Sequence, residues 1–372
     1  SIDALSIGFV YMDKEVGCSL EARYLQIFKG DEIEFPEDGY QGEDTKDLAK
    51  EYADLNGDSL VNVSAEERKK ALVDYALPKN IKKMQADMEK YKIFYDKWFF
   101  ESELHKSGAV KAVVDLLTEK GLTYEKDGAV WYKNKEVLTQ KLLKEGKSQK
   151  YIDNLELKDD VLIRQNGNPT YFTADIAYHK NKFDRGFTTL IDVWGADHHG
   201  HVMRMKGAMD AIGYDGDKLN VVLMQLVKLV KDGELVRMSK RTGKAIQLGD
   251  LLDEVPVDSA RFLFNTKEAN TQMDFDLDLA VSQDNQNPVY YVQYAHARIC
   301  SIFKSLAKEG ISPRECTDAE LALLTAPEEK ELINHLASYT NEIISAAKDY
   351  DPTKVTRYVT QLATLFHKFY NA

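Results

Sequence analysis

Strand-like and helix-like segments alternate between about residue 160 and residue 265, and this alternation constrains the fold more than any other feature. Three apolar segments have strand character: DVLIRQ, TTLIDVWG and NVVLMQLV. Two helically spaced segments lie between them: ADIAYHKNKF and HVMRMKGAMDAIG. Because strands separated by helices are typical of crossover connections, we expect an α/β region built on parallel strands.

The remainder of the chain is predicted to be mainly helical. Before the alternating region, charged and helically spaced segments surround one hairpin signal at Asp127–Gly128. We expect the long helical pattern there to break near Pro78, because proline removes a backbone donor. After the alternating region, apolar residues at helical spacing continue to Ala372, which predicts a helix bundle.

Composition limits the class of protein. The chain has 372 residues and a net charge of −12, which argues against a non-specific nucleic-acid coat but not against a local basic surface. No apolar run reaches the roughly 18 residues that would predict a membrane span. The cysteines are scattered, at Cys18, Cys300 and Cys316. They predict neither a disulfide framework nor a structural metal site, and they favour a reducing cytoplasm.

Basic side chains cluster in the segment R-M-S-K-R, Arg237–Arg241, which follows the last strand of the alternating region. A basic loop at the edge of an α/β sheet suits a substrate that carries phosphates, because phosphoryl chemistry needs developing negative charge to be neutralised. A solvated basic turn is the alternative interpretation, since charged runs are often only surface.

Two further polar groups lie beside the predicted helices. Tyr171 and Asp175 are four residues apart, so on a helix both side chains project from one face. A carboxylate beside a phenol suits a planar cation with several donors, such as a guanidinium, although a helix cap with a core aromatic is the alternative. The string D-H-H-G-H, Asp197–His201, follows a strand, where it could form a polar substrate site or a metal site. We favour the substrate site.

Six strings occur in one order along the chain: PTYFTADIAYH, DVWGADHHGHV, VRMSKRTG, DSARFLF, DFDLDLA and NPVYYVQYAHARI. Together they closely resemble the bacterial arginyl-tRNA synthetases, a family of class I aminoacyl-tRNA synthetases. The basic segment is similar to the K-M-S-K-S signature of that class, with Arg237 and Arg241 in place of its first Lys and last Ser.

The resemblance implies a fold of α/β plus all-α type. Residues 1–155 would form a mostly helical insertion or connective part of the catalytic domain. Residues 156–270 would form the second half of a Rossmann-like nucleotide-binding domain with a parallel sheet. Residues 271–372 would form an incomplete helical-bundle domain that binds the anticodon.

The resemblance also implies four groups of site residues. The substrate arginine would be bound by Tyr171, Asp175, Asp197 and His198. ATP would be contacted by Arg237, Met238 and Lys240. The catalytic residues of the basic loop would be Ser239 and Lys240. The tRNA anticodon would be contacted by Tyr290, Tyr291, Tyr294, His296 and Arg298. We expect at least two of these tyrosines to pack in a helix core instead.

The implied activity is that of an arginine–tRNA ligase, which activates arginine with ATP and Mg²⁺ and transfers it to tRNA. A cytoplasmic monomer with no structural metal is expected. The family's H-x-G-H signature is not found at its usual place before the basic loop, and we assign the similar string His198–His201 to the amino-acid pocket. We therefore expect impaired catalysis. A non-catalytic fragment that binds tRNA or arginine, and a metal-dependent hydrolase built on the histidine string, are the alternatives.

Overall fold

The computed structural model describes residues 3–6, 16–37, 39–236 and 246–372. Its α-helices are α1 (Gly17–Lys29), α2 (Glu43–Asn56), α3 (Ala65–Lys90), α4 (Glu101–Lys106), α5 (Ala109–Glu119), α6 (Asn134–Lys144), α7 (Gln149–Asp153), α8 (Tyr171–Asp184), α9 (His199–Ile212), α10 (Leu248–Glu254), α11 (Val257–Phe264), α12 (Leu277–Val281), α13 (Pro288–Lys308), α14 (Asp318–Leu321), α15 (Pro327–Ala337), α16 (Tyr339–Asp349) and α17 (Thr353–Asn371). Its strands are β1 (Asp3–Ser6), β2 (Lys97–Phe100), β3 (Thr123–Lys126), β4 (Ala129–Tyr132), β5 (Asp160–Ile163), β6 (Leu190–Gly195), β7 (Leu219–Met224), β8 (Val227–Lys231), β9 (Glu234–Val236) and β10 (Met273–Asp276).

The chain forms two compact units, Ser1–Val221 and Val222–Ala372. Helices with small sheets make up the first unit, and a small sheet followed by a helix bundle makes up the second. The predicted combination of α/β and all-α structure is therefore confirmed. The finer division at residues 155 and 270 stays a prediction.

Helices α1, α2 and α3 pack around the fully buried side chain of Tyr24. The Tyr24 hydroxyl donates to the Gly57 carbonyl at 2.8 Å and accepts from the Leu60 amide at 3.1 Å, so it joins α1 to the loop after α2. The predicted break at Pro78 is wrong, because α3 continues through it. Buried side chains on both sides of the proline, Val73 and Ile81 among them, hold the helix together at the cost of one backbone hydrogen bond.

The strands of the first unit pair differently from the expectation in one respect. The hairpin at Asp127–Gly128 is confirmed: β3 and β4 are antiparallel, and both turn residues have positive φ. The segment DVLIRQ forms β5 as predicted, but β5 pairs antiparallel with β4, so its predicted parallel pairing is wrong. The apolar pattern of this segment indicates a strand, but it does not specify the partner strand. Tertiary packing determines that partner. Strands β6 and β7 form a separate pair.

One apolar cluster in the first unit joins α5, α8 and α9 to these strands. Ile176 of α8 and Met205 and Met209 of α9 are fully buried in it. Burying an aliphatic side chain of this size contributes about 1.5–3 kcal/mol, so α8 and α9 are firmly held against each other. The polar residues at the beginning of α8 and α9 therefore lie on helices whose relative position is fixed by this packing.

The second unit contains one small sheet and the helix bundle. Strand β8 pairs antiparallel with β9 and parallel with β10. The predicted bundle is confirmed: α13 and α17 pack through Ala295, Ala363 and Phe366, and α15 and α16 also pack on α17. No helix among the described residues is both long and apolar enough to cross a membrane.

Candidate functional site

The beginning of α8 is anchored to strand β5. The Thr170 hydroxyl donates to the Val161 carbonyl at 2.7 Å, and the Thr173 hydroxyl donates to the Leu162 carbonyl at 2.8 Å. Helix α8 begins at Tyr171, three residues before the predicted helical segment ADIAYHKNKF, and Asp175 follows one helical turn later on the same face. The Tyr171 side chain is exposed, and the Arg164 guanidinium lies 5.7 Å from the centre of its ring.

Helix α9 supplies a histidine to this face of α8. The His201 Nε2 atom lies 3.2 Å from the Asp175 Oδ2 atom, and the two side chains are 18% and 33% exposed. The His201 ring is edge-on to Phe172, with ring centres 5.5 Å apart, and 5.3 Å from the ring of Trp194. A half-buried carboxylate with a fixed hydrogen-bond partner is thus presented beside an exposed phenol. Such a pair can bind a planar cation.

A buried ionic group lies one turn further along α8. The His179 Nε2 atom lies 2.5 Å from Asp192 Oδ2, and Lys182 Nζ donates to Asp192 Oδ1 at 2.7 Å. The His179 Nδ1 atom lies 2.7 Å from the Asp175 carbonyl oxygen. Burial by itself would raise the pKa of Asp192, but the hydrogen bonds and positive charges of His179 and Lys182 outweigh it and lower that pKa to about 2. Asp192 is therefore ionised at neutral pH and ties α8 to β6.

An ion pair holds α9 against β5. The Arg204 guanidinium forms two hydrogen bonds to the Asp160 carboxylate, one of them from Nε to Oδ2 at 3.0 Å. The same guanidinium lies 4.9 Å from the centre of the Phe172 ring. Because Arg204 and His201 are three residues apart on α9, this ion pair also fixes the turn of α9 that carries His201.

Asp197 and His198 lie in a short 3₁₀ helix, Ala196–His198, between β6 and α9. Their side chains are largely exposed, and His198 Nε2 lies 3.5 Å from Asp197 Oδ2. The contact between α8 and the histidine string is made by His201 rather than by these two residues. Among the described residues, no group of three or more His, Cys, Asp or Glu side chains is arranged to hold a metal ion.

Residues Arg237, Met238, Ser239, Lys240 and Arg241 lie outside the described residues. On either side of the undescribed segment, β9 ends at Val236 and α10 begins at Leu248. The predictions for the basic loop therefore stay predictions.

The five residues predicted to contact the anticodon all lie on α13. Tyr291 packs against the core between α13 and α17, and Tyr290 is half-buried. Tyr294 is exposed and stacks on Tyr290 at 6.3 Å and on His367 of α17 at 5.7 Å, measured between ring centres. This arrangement leaves Tyr294 as the tyrosine of α13 that a base could reach.

Two charged or titratable groups border Tyr294. The Arg298 guanidinium lies 3.9 Å from the ring centre of Tyr370 and 5.9 Å from that of Tyr294. Burial, together with the charge of Arg298, lowers the pKa of His367. His296 is exposed, and its Nε2 lies 3.7 Å from the Cys300 sulfur. Aromatic rings and a guanidinium on one surface can stack on unpaired bases.

Sequence reasoning missed two features of the site. It named His201 only as a member of a histidine string, and it did not select His179 or Asp192. The spacing of His179 and Asp175, four residues apart on one helix, was available as a signal. The charged Asp192 within an otherwise apolar strand was another, because a buried carboxylate needs partners.

Two families match parts of the chain. Residues 66–300 match the catalytic domain of the class I tRNA synthetases (R), and residues 292–372 match the DALR anticodon binding domain. The chain is 52% identical over 361 residues to an arginine–tRNA ligase of Ruminiclostridium cellulolyticum, and 53% identical over 360 residues to one of Caldanaerobacter subterraneus subsp. tengcongensis. Each alignment covers 96% of this chain and 61% of the relative, so the chain spans about three-fifths of the length of these relatives.

Solved structures resemble the chain as well. A Campylobacter jejuni structure described as an arginyl-tRNA synthetase superposes with a TM-score of 0.81 and 32% identity, covering 99% of this chain and 76% of that one. The Thermus thermophilus arginyl-tRNA synthetase superposes with a TM-score of 0.68 and 19% identity, covering 95% of this chain and 66% of that one. At that identity the second likeness shows the fold alone.

Proposed function

Because the chain belongs to the class I arginyl-tRNA synthetase family, we propose that it takes part in the activation of arginine by ATP and in its transfer to tRNA. The observation that carries the proposal is the half-buried Asp175 carboxylate, held by His201 and one turn from the exposed Tyr171. A guanidinium has donors in a planar fork, so a carboxylate and a phenol on one helix face complement it. Asp197 and His198, in the 3₁₀ helix that precedes α9, would contact the rest of the substrate.

The first chemical step would join arginine to ATP. A carboxylate oxygen of arginine attacks the α-phosphorus, the bond from that phosphorus to the oxygen bridging to the β-phosphate breaks, and pyrophosphate leaves. We assign Arg237, Met238 and Lys240 to ATP contacts, and Ser239 and Lys240 to the catalytic loop. A cationic loop lowers the barrier by neutralising charge on the departing pyrophosphate, with ATP entering as its Mg²⁺ complex.

The second step would use tRNA. A terminal ribose hydroxyl attacks the carbonyl carbon of the adenylate, AMP departs, and the hydroxyl proton is released to solvent. We propose that the α13 face of residues 271–372 contacts the anticodon through Tyr290, Tyr291, Tyr294, His296 and Arg298. The exposed ring of Tyr294 and the adjacent guanidinium support this assignment. Tyr291 would contribute mainly by packing α13 on α17.

We further propose that the protein acts as a cytoplasmic monomer. Its described cysteines are free, with Cys18 and Cys300 half-buried and Cys316 exposed, and a reducing compartment suits exposed thiols. Sedimentation of the purified chain, alone and with arginine tRNA, would measure the oligomeric state.

A direct test is arginine-dependent exchange of labelled pyrophosphate into ATP, with Mg²⁺ and arginine tRNA present, together with calorimetric titration of arginine. Exchange that requires arginine would support the ligase. Arginine binding without exchange would favour the alternative of a binding fragment. If the chain neither bound arginine nor catalysed the exchange, the proposal would be contradicted.

We expect Tyr294→Ala to weaken binding of arginine tRNA about tenfold, because stacking of one base on an aromatic ring contributes roughly 1–3 kcal/mol. Phe303→Ala is the matched control, since Phe303 is also an exposed aromatic residue of α13. Fluorescence anisotropy with a labelled tRNA transcript would measure both. Equal losses for the two variants would argue against a specific contact at Tyr294.

A further inference from the structure

We infer that His201 is a positioning residue that orients the Asp175 carboxylate for a guanidinium, and that it thereby contributes to the selection of arginine. This inference rests on the proposed function, because it takes Asp175 as the partner of the substrate. Its basis is the contact between His201 Nε2 and Asp175 Oδ2 at 3.2 Å, which joins α9 to α8. In the tautomer with hydrogen on Nε2, His201 donates to Asp175 without adding charge, so the carboxylate keeps its full attraction for a cation.

The His201 ring is held in place before any ligand binds. Phe172 lies edge-on to one part of the ring, and Trp194 contacts another. The Arg204–Asp160 ion pair fixes the next turn of α9. Because the ring is already ordered in the folded protein, the hydrogen bond to Asp175 requires no further loss of side-chain entropy on binding.

A fixed carboxylate plane matters more for a guanidinium than for an ammonium group. The guanidinium presents its donors in a rigid planar fork, so its hydrogen bonds depend on the orientation of the carboxylate. An ammonium group is a compact point charge with rotatable donors, so it is attracted to a misoriented carboxylate nearly as well. Loss of the hydrogen bond from His201 to the Asp175 carboxylate should therefore reduce the affinity for arginine more than the affinity for lysine.

Variants of His201 test this inference in the full chain. His201→Phe keeps an aromatic ring between Phe172 and Trp194 but removes the donor, and we expect the Kd for arginine to rise about tenfold, because the freed Asp175 side chain must be ordered again when arginine binds. His201→Gln retains an N–H donor at a similar reach, and we expect a Kd within threefold of the parent protein. His105→Phe, which removes the histidine that lies beside the Glu101 carboxylate on α4, is the matched control and should leave the Kd unchanged.

Calorimetry with arginine, and competition by lysine, measure the selectivity directly. The expected result is a smaller ratio of arginine to lysine affinity in His201→Phe, restored in His201→Gln. An unchanged ratio in His201→Phe, or an equal loss in His201→Gln, would overturn the inference while leaving the proposed function intact. If the parent chain itself does not bind arginine, the proposed function and this inference both fall. Should His201→Phe not fold, as judged by circular dichroism, His201→Leu is a second variant without a donor, with the same outcomes.

Discussion

Asp175→Asn is expected to weaken arginine binding by about 100-fold. The substitution keeps the shape of the side chain but removes the negative charge that the proposed guanidinium pairs with, and truncating one partner of a desolvated charge pair typically costs about 2–5 kcal/mol. Since Asp175 is one-third exposed, the lower part of that range applies. Calorimetric titration of the purified variant with arginine would measure the change in Kd.

Asp184→Asn is the matched control, because Asp184 lies at the other end of the same helix, is exposed and pairs with Lys180. Its arginine affinity should equal that of the parent chain. If both variants lost affinity equally, the effect would be one of net charge rather than of a site at Asp175. An Asp175→Asn protein that binds arginine as tightly as the parent would remove the central contact of the proposed pocket.

We expect Asp192→Asn to lower the free energy of unfolding by about 3 kcal/mol at pH 7, far more than a substitution in an exposed ion pair. Removing the charge leaves Lys182, whose side chain is 13% exposed, without its counter-charge, and breaking a buried ion pair by changing one partner is strongly destabilising. Urea denaturation followed by circular dichroism would measure the difference. Asp115→Asn removes one partner of an exposed pair with Lys111 and should cost no more than about 0.5 kcal/mol.

Because of the Asp192 carboxylate, we expect the free energy of unfolding to depend on pH. The pKa of this carboxylate falls from 3.8 to about 2 on folding, so the folded state binds the proton less readily than the unfolded state. The stabilisation is therefore fully present above about pH 4 and is lost as the pH falls through about 2, with a total of about 2 kcal/mol for this shift. The gap in unfolding free energy between the parent chain and Asp192→Asn should narrow over that interval. A gap that stayed constant with pH would contradict the role assigned to the charge.

Local pattern was enough to predict several elements of the fold. Helices α8 and α9 follow from apolar residues at helical spacing, and the hairpin at Asp127–Gly128 follows from residues that tolerate positive φ. Helical spacing likewise placed Tyr171 and Asp175 on one face. These features depend on interactions within a few residues, which a single sequence contains.

Features that depend on distant contacts could not be predicted in the same way. The partner of β5 is decided by packing, and the continuity of α3 through Pro78 depends on buried neighbours on both sides of the proline. The His201–Asp175 contact joins residues 26 positions apart in the chain, and it exists because the apolar faces of α8 and α9 pack together. No spacing rule connects such residues.

The turn of α8 from Asp175 to His179 contains the carboxylate that we propose for arginine binding and a histidine that belongs to the buried ionic group. The Asp175 carboxylate faces His201, while the Asp175 carbonyl oxygen lies within hydrogen-bond distance of His179, which in turn contacts Asp192. The contact with His179 uses the backbone carbonyl, which any residue at position 175 would keep, so replacing the Asp175 side chain leaves the contact between His179 and Asp192 in place. Engineering of amino-acid preference through the Asp175 side chain can therefore leave the ionic group of His179, Lys182 and Asp192 intact, whereas a replacement of His179 itself would remove a partner of the buried Asp192 carboxylate.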